Sequence, residues 1–206
     1  MKLIIFFNGW GMNSDIFNHF PIEKKITIIF INYPYSTKSI QKINTSLFDE
    51  VFILGWSFGA YYANVFLKEY PAFQKYVTIA INGSPELIGK YGISEKVFNL
   101  TKDSLSLESL AKFDCKMLAP PNFRRSTPCI EKLKEELIFL KTQYKVVDNH
   151  FKYALISKND KIIPFKNQIL YFEQEKIKIK IIESGHYIFN CFFGFNNIIA
   201  LLDYEV

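Results

Sequence analysis

Gly55-Trp56-Ser57-Phe58-Gly59 follows the apolar run Val51–Leu54 and precedes a helix-like segment, Ala60–Glu69. A Gly-x-Ser-x-Gly pentapeptide between a strand and a helix is a nucleophile elbow, a strained turn that projects its serine from the edge of a sheet. The glycines two residues to either side let strand and helix pack where a side chain would clash. This context predicts a serine hydrolase with Ser57 as the nucleophile. A Gly-rich structural turn is the alternative.

The serine needs two partners, because a hydroxyl is a poor nucleophile without a general base, and the base needs an orienting acid. In sheets that carry this elbow the chain order is serine, acid, histidine. Of the three histidines, only His186 follows the last strand-like run. Asp160 follows the strand-like run Tyr153–Ser157, at the sheet edge where catalytic loops gather. We predict a triad of Ser57, His186 and Asp160, with Asp148 as the best substitute acid.

An oxyanion hole is the fourth element of such a site. Acyl transfer develops negative charge on the carbonyl oxygen, and two backbone N–H groups usually stabilise it. One comes from the residue after the nucleophile, here Phe58, and the other from a loop after an early strand. The first strand-like run, Lys2–Phe7, is followed by Asn8-Gly9-Trp10-Gly11, so Trp10 is the predicted second donor. A Gly-rich turn around a buried tryptophan is the alternative.

Strand-like and helix-like segments alternate along the 206 residues, which predicts one α/β domain. Because most of the strand-like runs are continuously apolar, the strands should be parallel and buried on both faces. We predict a minimal α/β-hydrolase fold: a mostly parallel sheet of about six strands, flanked by helices, that lacks the first two strands usual in that fold. The predicted strands are Lys2–Phe7, Ile26–Ile31, Val51–Leu54, Tyr76–Ile81, Tyr153–Ser157 and Lys176–Ile182, and the predicted helices of the core are Ser14–His19, Ala60–Glu69, Pro164–Glu173 and Asn190–Leu202.

A long segment without a convincing strand, residues 86–148, separates the predicted core into 1–85 and 149–206. An insertion after the fourth strand of this fold is the usual position of a helical lid, which excludes water and shapes the acyl pocket. An ordinary packing subdomain is the alternative. The helices predicted here are Ser94–Leu100, Ser106–Phe113 and Cys129–Tyr144.

The charge of the chain is modestly positive, +5, which fits an acidic partner without requiring one. No basic block of the kind expected for a nucleic-acid-binding protein is present. The only two arginines, Arg124 and Arg125, are adjacent within the predicted lid. Their pairing suggests a site for phosphate or carboxylate, which the planar guanidinium group binds with two hydrogen bonds. Chance placement on a solvated face is the alternative.

The three cysteines, Cys115, Cys129 and Cys191, lack the spacing of metal ligands, and we predict neither a metal site nor a cofactor. An odd number gives no disulfide framework, which favours a reducing compartment. We find no secretory signal and no apolar stretch of transmembrane length. The sequence therefore predicts a cytoplasmic protein without a membrane partner.

Over nearly its whole length the chain resembles the BioG family, the short pimeloyl-[acyl-carrier protein] methyl ester esterases of biotin synthesis. The elbow and the Asp and His loops are shared with many α/β-hydrolases, whereas the Asn-Gly-Trp-Gly start, the missing early strands and the Phe-Arg-Arg segment are more specific. The motifs that carry the resemblance are Asn8–Gly11, Gly55–Gly59, Ala80–Gly83, Phe123–Arg125, Ser157–Lys161 and Gly185–Phe189.

This resemblance implies a mechanism and a partner. Ser57, deprotonated by His186, would attack the methyl ester carbonyl, Asp160 would stabilise the imidazolium, and water would hydrolyse the acyl-enzyme. The partner is implied to be an acyl carrier protein, whose phosphopantetheine bears the methyl-pimeloyl chain. A thioesterase or general short-chain carboxylesterase with the same triad is the rival interpretation, and a non-catalytic binding protein is a remote one. The residues implied to face the acyl chain or its carrier are Trp10, Lys116, Phe123, Arg124, Arg125 and Lys132.

Overall fold

The computed structural model describes residues 1–38, 40–121, 123, 125 and 129–202. Within these residues six strands form one sheet of order β2-β1-β3-β4-β5-β6, and every neighbouring pair is parallel. The predicted fold class is therefore confirmed. The strands are β1 Lys2–Phe7, β2 Ile26–Ile31, β3 Glu50–Trp56, β4 Val77–Ile81, β5 Tyr153–Ser157 and β6 Lys178–Ile182, and the α-helices are α1 Phe58–Glu69, α2 Glu95–Asp103, α3 Leu107–Lys116, α4 Ile130–Gln143, α5 Phe165–Gln174 and α6 Phe195–Ala200.

The four inner strands are mostly apolar because both faces of the sheet are covered. In β1, Leu3 through Phe7 are all fully buried, and successive side chains enter opposite sides of the sheet. Leu3, Ile5 and Phe7 pack on the side of α1 and α5, while Ile4 and Phe6 pack on the side of α6. Burying each such side chain contributes about 1.5–3 kcal/mol, so the strand that leads into the predicted oxyanion loop is firmly anchored.

Helices α2, α3 and α4 occupy the segment between β4 and β5. Serine side chains begin two of them: Ser94 caps α2, and Ser106 forms a capping box with Ser109 at the start of α3. Their apolar faces form a separate cluster with Trp10 and Phe58, which places these helices over the elbow. The division of the chain into a core and a lid at residues 86 and 148 stays a prediction.

Two helix predictions in the core were wrong in extent. Residues 14–19 form only a short 3₁₀ turn, Ser14–Phe17. In the last segment α6 covers Phe195–Ala200, because Gly194 precedes it in an extended conformation and a separate 3₁₀ turn occupies Phe189–Cys191. Within the part of the chain that the structure describes, no helix combines the length and the apolar character needed to cross a bilayer.

Candidate active site

The elbow has the backbone geometry that its sequence predicts. Ser57 lies between β3 and α1 with φ 57° and ψ −121°, a backbone region that residues other than glycine rarely adopt. Its glycines are required by close approach: a Cβ on Gly59 would lie 2.0 Å from the Phe7 carbonyl oxygen, and one on Gly55 would lie 2.6 Å from the Ala60 Cα. The serine is therefore held where β3 gives way to α1, at the carboxyl edge of the sheet.

The three residues predicted as a triad lie together. His186 Nε2 is 2.9 Å from Ser57 Oγ, and His186 Nδ1 is 2.8 Å from Asp160 Oδ2. The side chains of His186 and Asp160 are completely buried, so the chain of hydrogen bonds is shielded from water. This arrangement can transfer a proton from the serine to the imidazole while the carboxylate holds the ring.

Asp160 is oriented by donors on both of its oxygens. Oδ1 accepts from the backbone N–H groups of Ile162 and Ile163, at 2.8 and 3.0 Å. Oδ2, which contacts the imidazole, also accepts from Gln168 Nε2 of α5 at 3.1 Å. Sequence reasoning missed Gln168, because a glutamine eight residues after the acid has no signature that distinguishes it from any other polar position on a helix.

The loop that carries His186 is held by Asn82, which follows β4. The Asn82 side-chain amide donates to the carbonyl oxygens of His186 and Gly185, at 2.9 and 3.2 Å, and its oxygen accepts from the Ser157 N–H at 2.7 Å. The Trp56 indole N–H donates to the same His186 carbonyl at 3.0 Å. The sequence offers two signals for Asn82, its position directly after a predicted strand and its place in the motif Ala80–Gly83, and none for the indole contact.

The loop after β1 lies directly against the serine, since a Cβ on Gly9 would be 3.2 Å from Ser57 Cβ. Trp10 in this loop is buried, and its ring stacks on Phe58 with centroids 6.4 Å apart. Phe58 is the first residue of α1, so its N–H has no acceptor within the helix. The two residues predicted to form an oxyanion hole are thus neighbours at the nucleophile, and their role as donors stays a proposal.

An apolar pocket of about 90 Å³ begins at these two residues and extends under the helices of the insertion. Two lysines, Lys116 and Lys161, also line it, and both are exposed. This lining could accommodate a short aliphatic chain, with cations at the border of the pocket. The remaining lining residues are Ile93, Val97, Phe98, Thr101, Phe113, Leu137 and Ile162.

The Arg125 side chain is almost wholly buried, at the wall of an open cavity of about 480 Å³ that Phe123 also lines. Only 3% of its side chain is exposed, its Nε donates to Asp114 Oδ1 at 2.9 Å, and its Nη1 donates to the Trp10 carbonyl at 3.0 Å. Burial lowers the pKa of Arg125, and the Asp114 carboxylate opposes that shift. The structure lends no support to the prediction that Arg125 faces a carrier, because an internal carboxylate and the rings of Trp10 and Phe113 surround its guanidinium.

The other predicted carrier contacts do not form one surface. Lys116 borders the apolar pocket, whereas Lys132 lines a different groove, of about 410 Å³, beside Tyr33 and Glu135. Phe123 packs edge-on against Tyr187, with ring centroids 5.3 Å apart. Arg124 lies outside the described residues.

A buried carboxylate, Glu136 of α4, was missed by sequence reasoning. It is 4% exposed, and it accepts from the Gly11 N–H at 3.0 Å and the Tyr35 hydroxyl at 3.1 Å. Burial raises the pKa of Glu136 from 4.5 to about 7, although both hydrogen bonds and the nearby Arg125 lower it. The apolar residues Leu133, Leu137 and Leu140 recur at helical spacing and so predict the inner face of α4, but this spacing gives no reason to expect an acid among them.

We expect the free energy of unfolding to fall as the pH rises from about 4.5 to about 7. The native state binds the Glu136 proton more tightly than the unfolded chain does, so this contribution is fully present below the unfolded pKa and is lost as the pH rises through the folded one. Its size is on the order of 3 kcal/mol. Urea denaturation at pH 5 and pH 8 should show a component that Glu136→Gln removes and Glu135→Gln keeps. An unchanged pH dependence in Glu136→Gln would contradict the assignment.

Comparison with known proteins agrees with this geometry. Residues 1–198 match the model of the family described as pimeloyl-ACP methyl esterase BioG. The chain is 29% identical to a malonyl-[acyl-carrier protein] O-methyltransferase of Bacteroides fragilis over 90% of its own length, but it spans only 39% of that longer protein. It is also 26% identical to an uncharacterised protein of Haemophilus influenzae, with 92% of this chain and 90% of the relative covered.

Solved structures support the same fold. The crystal structure of BioG from Haemophilus influenzae superposes with a TM-score of 0.81 and 22% identity, over 98% of this chain and 95% of that one. An esterase from Exiguobacterium antarcticum superposes with a TM-score of 0.64 and 13% identity, over 99% and 92% of the two chains. Since the family match runs from the first strand into α6, the chain belongs to the family described as pimeloyl-ACP methyl esterase BioG.

Proposed function

We propose that this chain hydrolyses the methyl ester of pimeloyl-[acyl-carrier protein] and so frees the ω-carboxylate for biotin synthesis. The observation that carries the proposal is the placement of the His186 imidazole between Ser57 Oγ and Asp160 Oδ2, at 2.9 and 2.8 Å. That geometry supports serine ester hydrolysis, and the family match supports the substrate. No cofactor enters the proposed reaction.

The proposed mechanism needs two half-reactions. His186 Nε2 takes the Ser57 proton as Oγ attacks the ester carbonyl, and Asp160 stabilises the resulting imidazolium. The backbone N–H groups of Trp10 and Phe58 hold the oxyanion. The imidazolium then protonates the departing methoxide, which leaves as methanol. A water molecule, deprotonated by the same imidazole, cleaves the acyl-enzyme and leaves the carboxylate.

The apolar pocket supports an aliphatic acyl chain, because it begins at Trp10 and Phe58 and its walls are aromatic and branched side chains. Lys116 and Lys161 border the same pocket. Two exposed ammonium groups there would attract the phosphopantetheine phosphate and an acidic carrier. Since Arg125 is enclosed, we propose that this lysine pair forms the carrier-facing charge.

We expect Lys116→Glu combined with Lys161→Glu to lower kcat/KM for the carrier-bound ester by roughly 10- to 100-fold at low salt, mainly through KM. The same variant should hydrolyse a small p-nitrophenyl ester within about twofold of wild type, because the triad is untouched. Lys132→Glu, in the other groove, is the matched comparison and should leave kcat/KM unchanged for both substrates. A larger loss in Lys132→Glu than in the double variant would move the docking site to that groove.

The substrate itself is tested by offering wild-type protein three compounds: pimeloyl-carrier methyl ester, a pimeloyl-carrier thioester without the methyl group, and p-nitrophenyl butyrate. Conversion of the methyl ester with the thioester left intact, read as a mobility shift of the carrier, is the expected result. Release of free carrier protein would instead indicate a thioesterase. Turnover of the p-nitrophenyl ester alone would indicate a general carboxylesterase.

The cellular location also rests on sequence. Cys115, Cys129 and Cys191 are unpaired, as is usual in a reducing compartment. A cytoplasmic location without nucleic-acid or membrane partners stays a prediction.

A further inference from the structure

The loop that carries the proposed oxyanion donor is held by side chains from the insertion. One peptide unit, Trp10–Gly11, is bound at both polar ends: Arg125 Nη1 donates to the Trp10 carbonyl oxygen at 3.0 Å, and the Gly11 N–H donates to Glu136 Oε2 at 3.0 Å. In addition, the Trp10 indole N–H donates to the Leu133 carbonyl at 2.9 Å. The cation therefore faces the carbonyl and the carboxylate faces the N–H, in agreement with the dipole of the peptide.

The other oxygen of Glu136 reaches the start of the same loop through a tyrosine. The buried Tyr35 hydroxyl lies 3.1 Å from Glu136 Oε1 and 3.1 Å from the Asn8 carbonyl oxygen. The single Tyr35 proton is shared between these two acceptors, so Glu136 contacts the loop directly at Gly11 and lies one hydroxyl away from it at Asn8. Each contact joins the loop to residues distant in sequence.

The loop needs such a restraint because of its glycine. Gly11 has φ +65°, and a peptide unit that precedes glycine rotates easily between two orientations. Rotation of the Trp10–Gly11 peptide by half a turn would bring its oxygen against the Glu136 carboxylate and its N–H against the Arg125 guanidinium. When Glu136 is ionised, above a pH of about 7, opposite charges on the two sides therefore stabilise one orientation and oppose the other.

Stability alone does not account for these charges. Glu136 is 4% exposed and the Arg125 side chain 3% exposed, and removing charged groups from water costs several kcal/mol for each ion. Apolar side chains of similar volume often stabilise such sites equally well or better. A buried acid and base that meet on one peptide unit, next to the nucleophile, are better explained by the orientation they impose.

We propose that Glu136 and Arg125 are positioning residues that fix the oxyanion loop, so that the Trp10 N–H is directed at the developing oxyanion. The Trp10–Gly11 unit shares the Trp10 Cα with the peptide that bears this N–H, so fixing one plane restricts the other. The inference rests on the proposed function, specifically on Trp10 as a donor. Neither residue touches the substrate in this role.

The test compares catalysis with binding of a transition-state analogue, using a p-nitrophenyl ester and an alkyl trifluoromethyl ketone, whose adduct with Ser57 places an oxyanion in the hole. Glu136→Leu should lower kcat by roughly 10- to 100-fold with KM within about twofold, and should weaken ketone binding by the same factor as kcat/KM. Glu136→Gln, which keeps an acceptor for Gly11, should restore most of both. Glu135→Leu, on the exposed face of the same helix, should change neither kcat nor the affinity for the ketone.

A merely structural role would lower the melting temperature and the fraction of active enzyme, but would leave ketone affinity per active site unchanged; that result would overturn the inference. If Glu136→Leu does not fold, Tyr35→Phe gives the same test by removing a single hydroxyl. It should lower kcat and ketone affinity together by about fivefold, and unchanged values would overturn the inference. Wild-type protein that neither hydrolyses the ester nor binds the ketone would overturn the proposed function as well.

Discussion

Ser57→Ala should lower hydrolysis of the carrier-bound methyl ester by roughly 10⁴- to 10⁶-fold. The hydroxyl is the group that His186 Nε2 contacts, at 2.9 Å, and alanine leaves the imidazole without a nucleophile to deprotonate. Substrate binding and the proposed oxyanion donors remain, so a residual rate above that of the uncatalysed reaction is expected. Stability should change little, because the substitution removes one oxygen and keeps the elbow glycines.

The measurement is a mobility-shift assay of the carrier, together with labelling by a fluorophosphonate probe. Ser84→Ala is the matched control: it is another fully buried serine near the sheet edge, and its hydroxyl donates to the Glu86 carbonyl oxygen rather than to a catalytic group. This control should keep activity within about twofold. Continued probe labelling of Ser57→Ala would show that a different residue is the nucleophile.

Asp160→Asn should lower kcat by roughly 10⁴-fold. It should also lower the melting temperature modestly, because the new NH₂ group would face the Gln168 Nε2 donor. The reason lies in the donors around the carboxylate. Because the Ile162 and Ile163 N–H groups both donate to Oδ1, an asparagine would place its oxygen there and turn its NH₂ group toward His186. The imidazole would then have to accept at Nδ1 and carry its proton on Nε2, where it cannot deprotonate Ser57.

This result is read from steady-state kinetics, with the melting temperature as a check on folding. Asp148→Asn is the matched control, since Asp148 was the substitute acid suggested by the sequence and its side chain is exposed. We expect wild-type kinetics from it. Retention of more than about a tenth of the activity by Asp160→Asn, or a large loss in Asp148→Asn, would refute the assignment of the acid.

The sheet could be predicted because its physical cause is local. A parallel strand that is covered on both faces must be apolar at successive positions, and β1, β2 and β5 match the predicted ranges residue for residue. The candidate triad could also be expected, because chain order and strand ends limit where a base and an acid can lie. Both the strands and the strand ends that carry the candidate triad can be recognised within segments of five to seven residues.

The supporting contacts could not be predicted, because they join distant parts of the chain. Asn82 meets His186 across 104 residues, and Glu136 meets Gly11 across 125. A single sequence gives no register for such contacts. Arg125 shows the same limit in another form: its residue type suggested an exposed cation, but a carboxylate and two rings inside the fold make its burial tolerable.

The contact between α4 and the loop after β1 has a consequence for how the substrate enters. Raising α4 would break the hydrogen bonds from Trp10 to Leu133 and from Gly11 to Glu136, and would disassemble the site at the moment of opening. A turnover cycle that swings the whole insertion outward is therefore unfavourable. We propose that substrate enters and leaves beside α2, which borders the apolar pocket at Val97. Helix α3 also holds the loop, because its Phe113 packs against Trp10 and its Asp114 pairs with Arg125. Substrate would thus pass through an opening at the edge of the insertion while α4 keeps its contacts with the loop after β1.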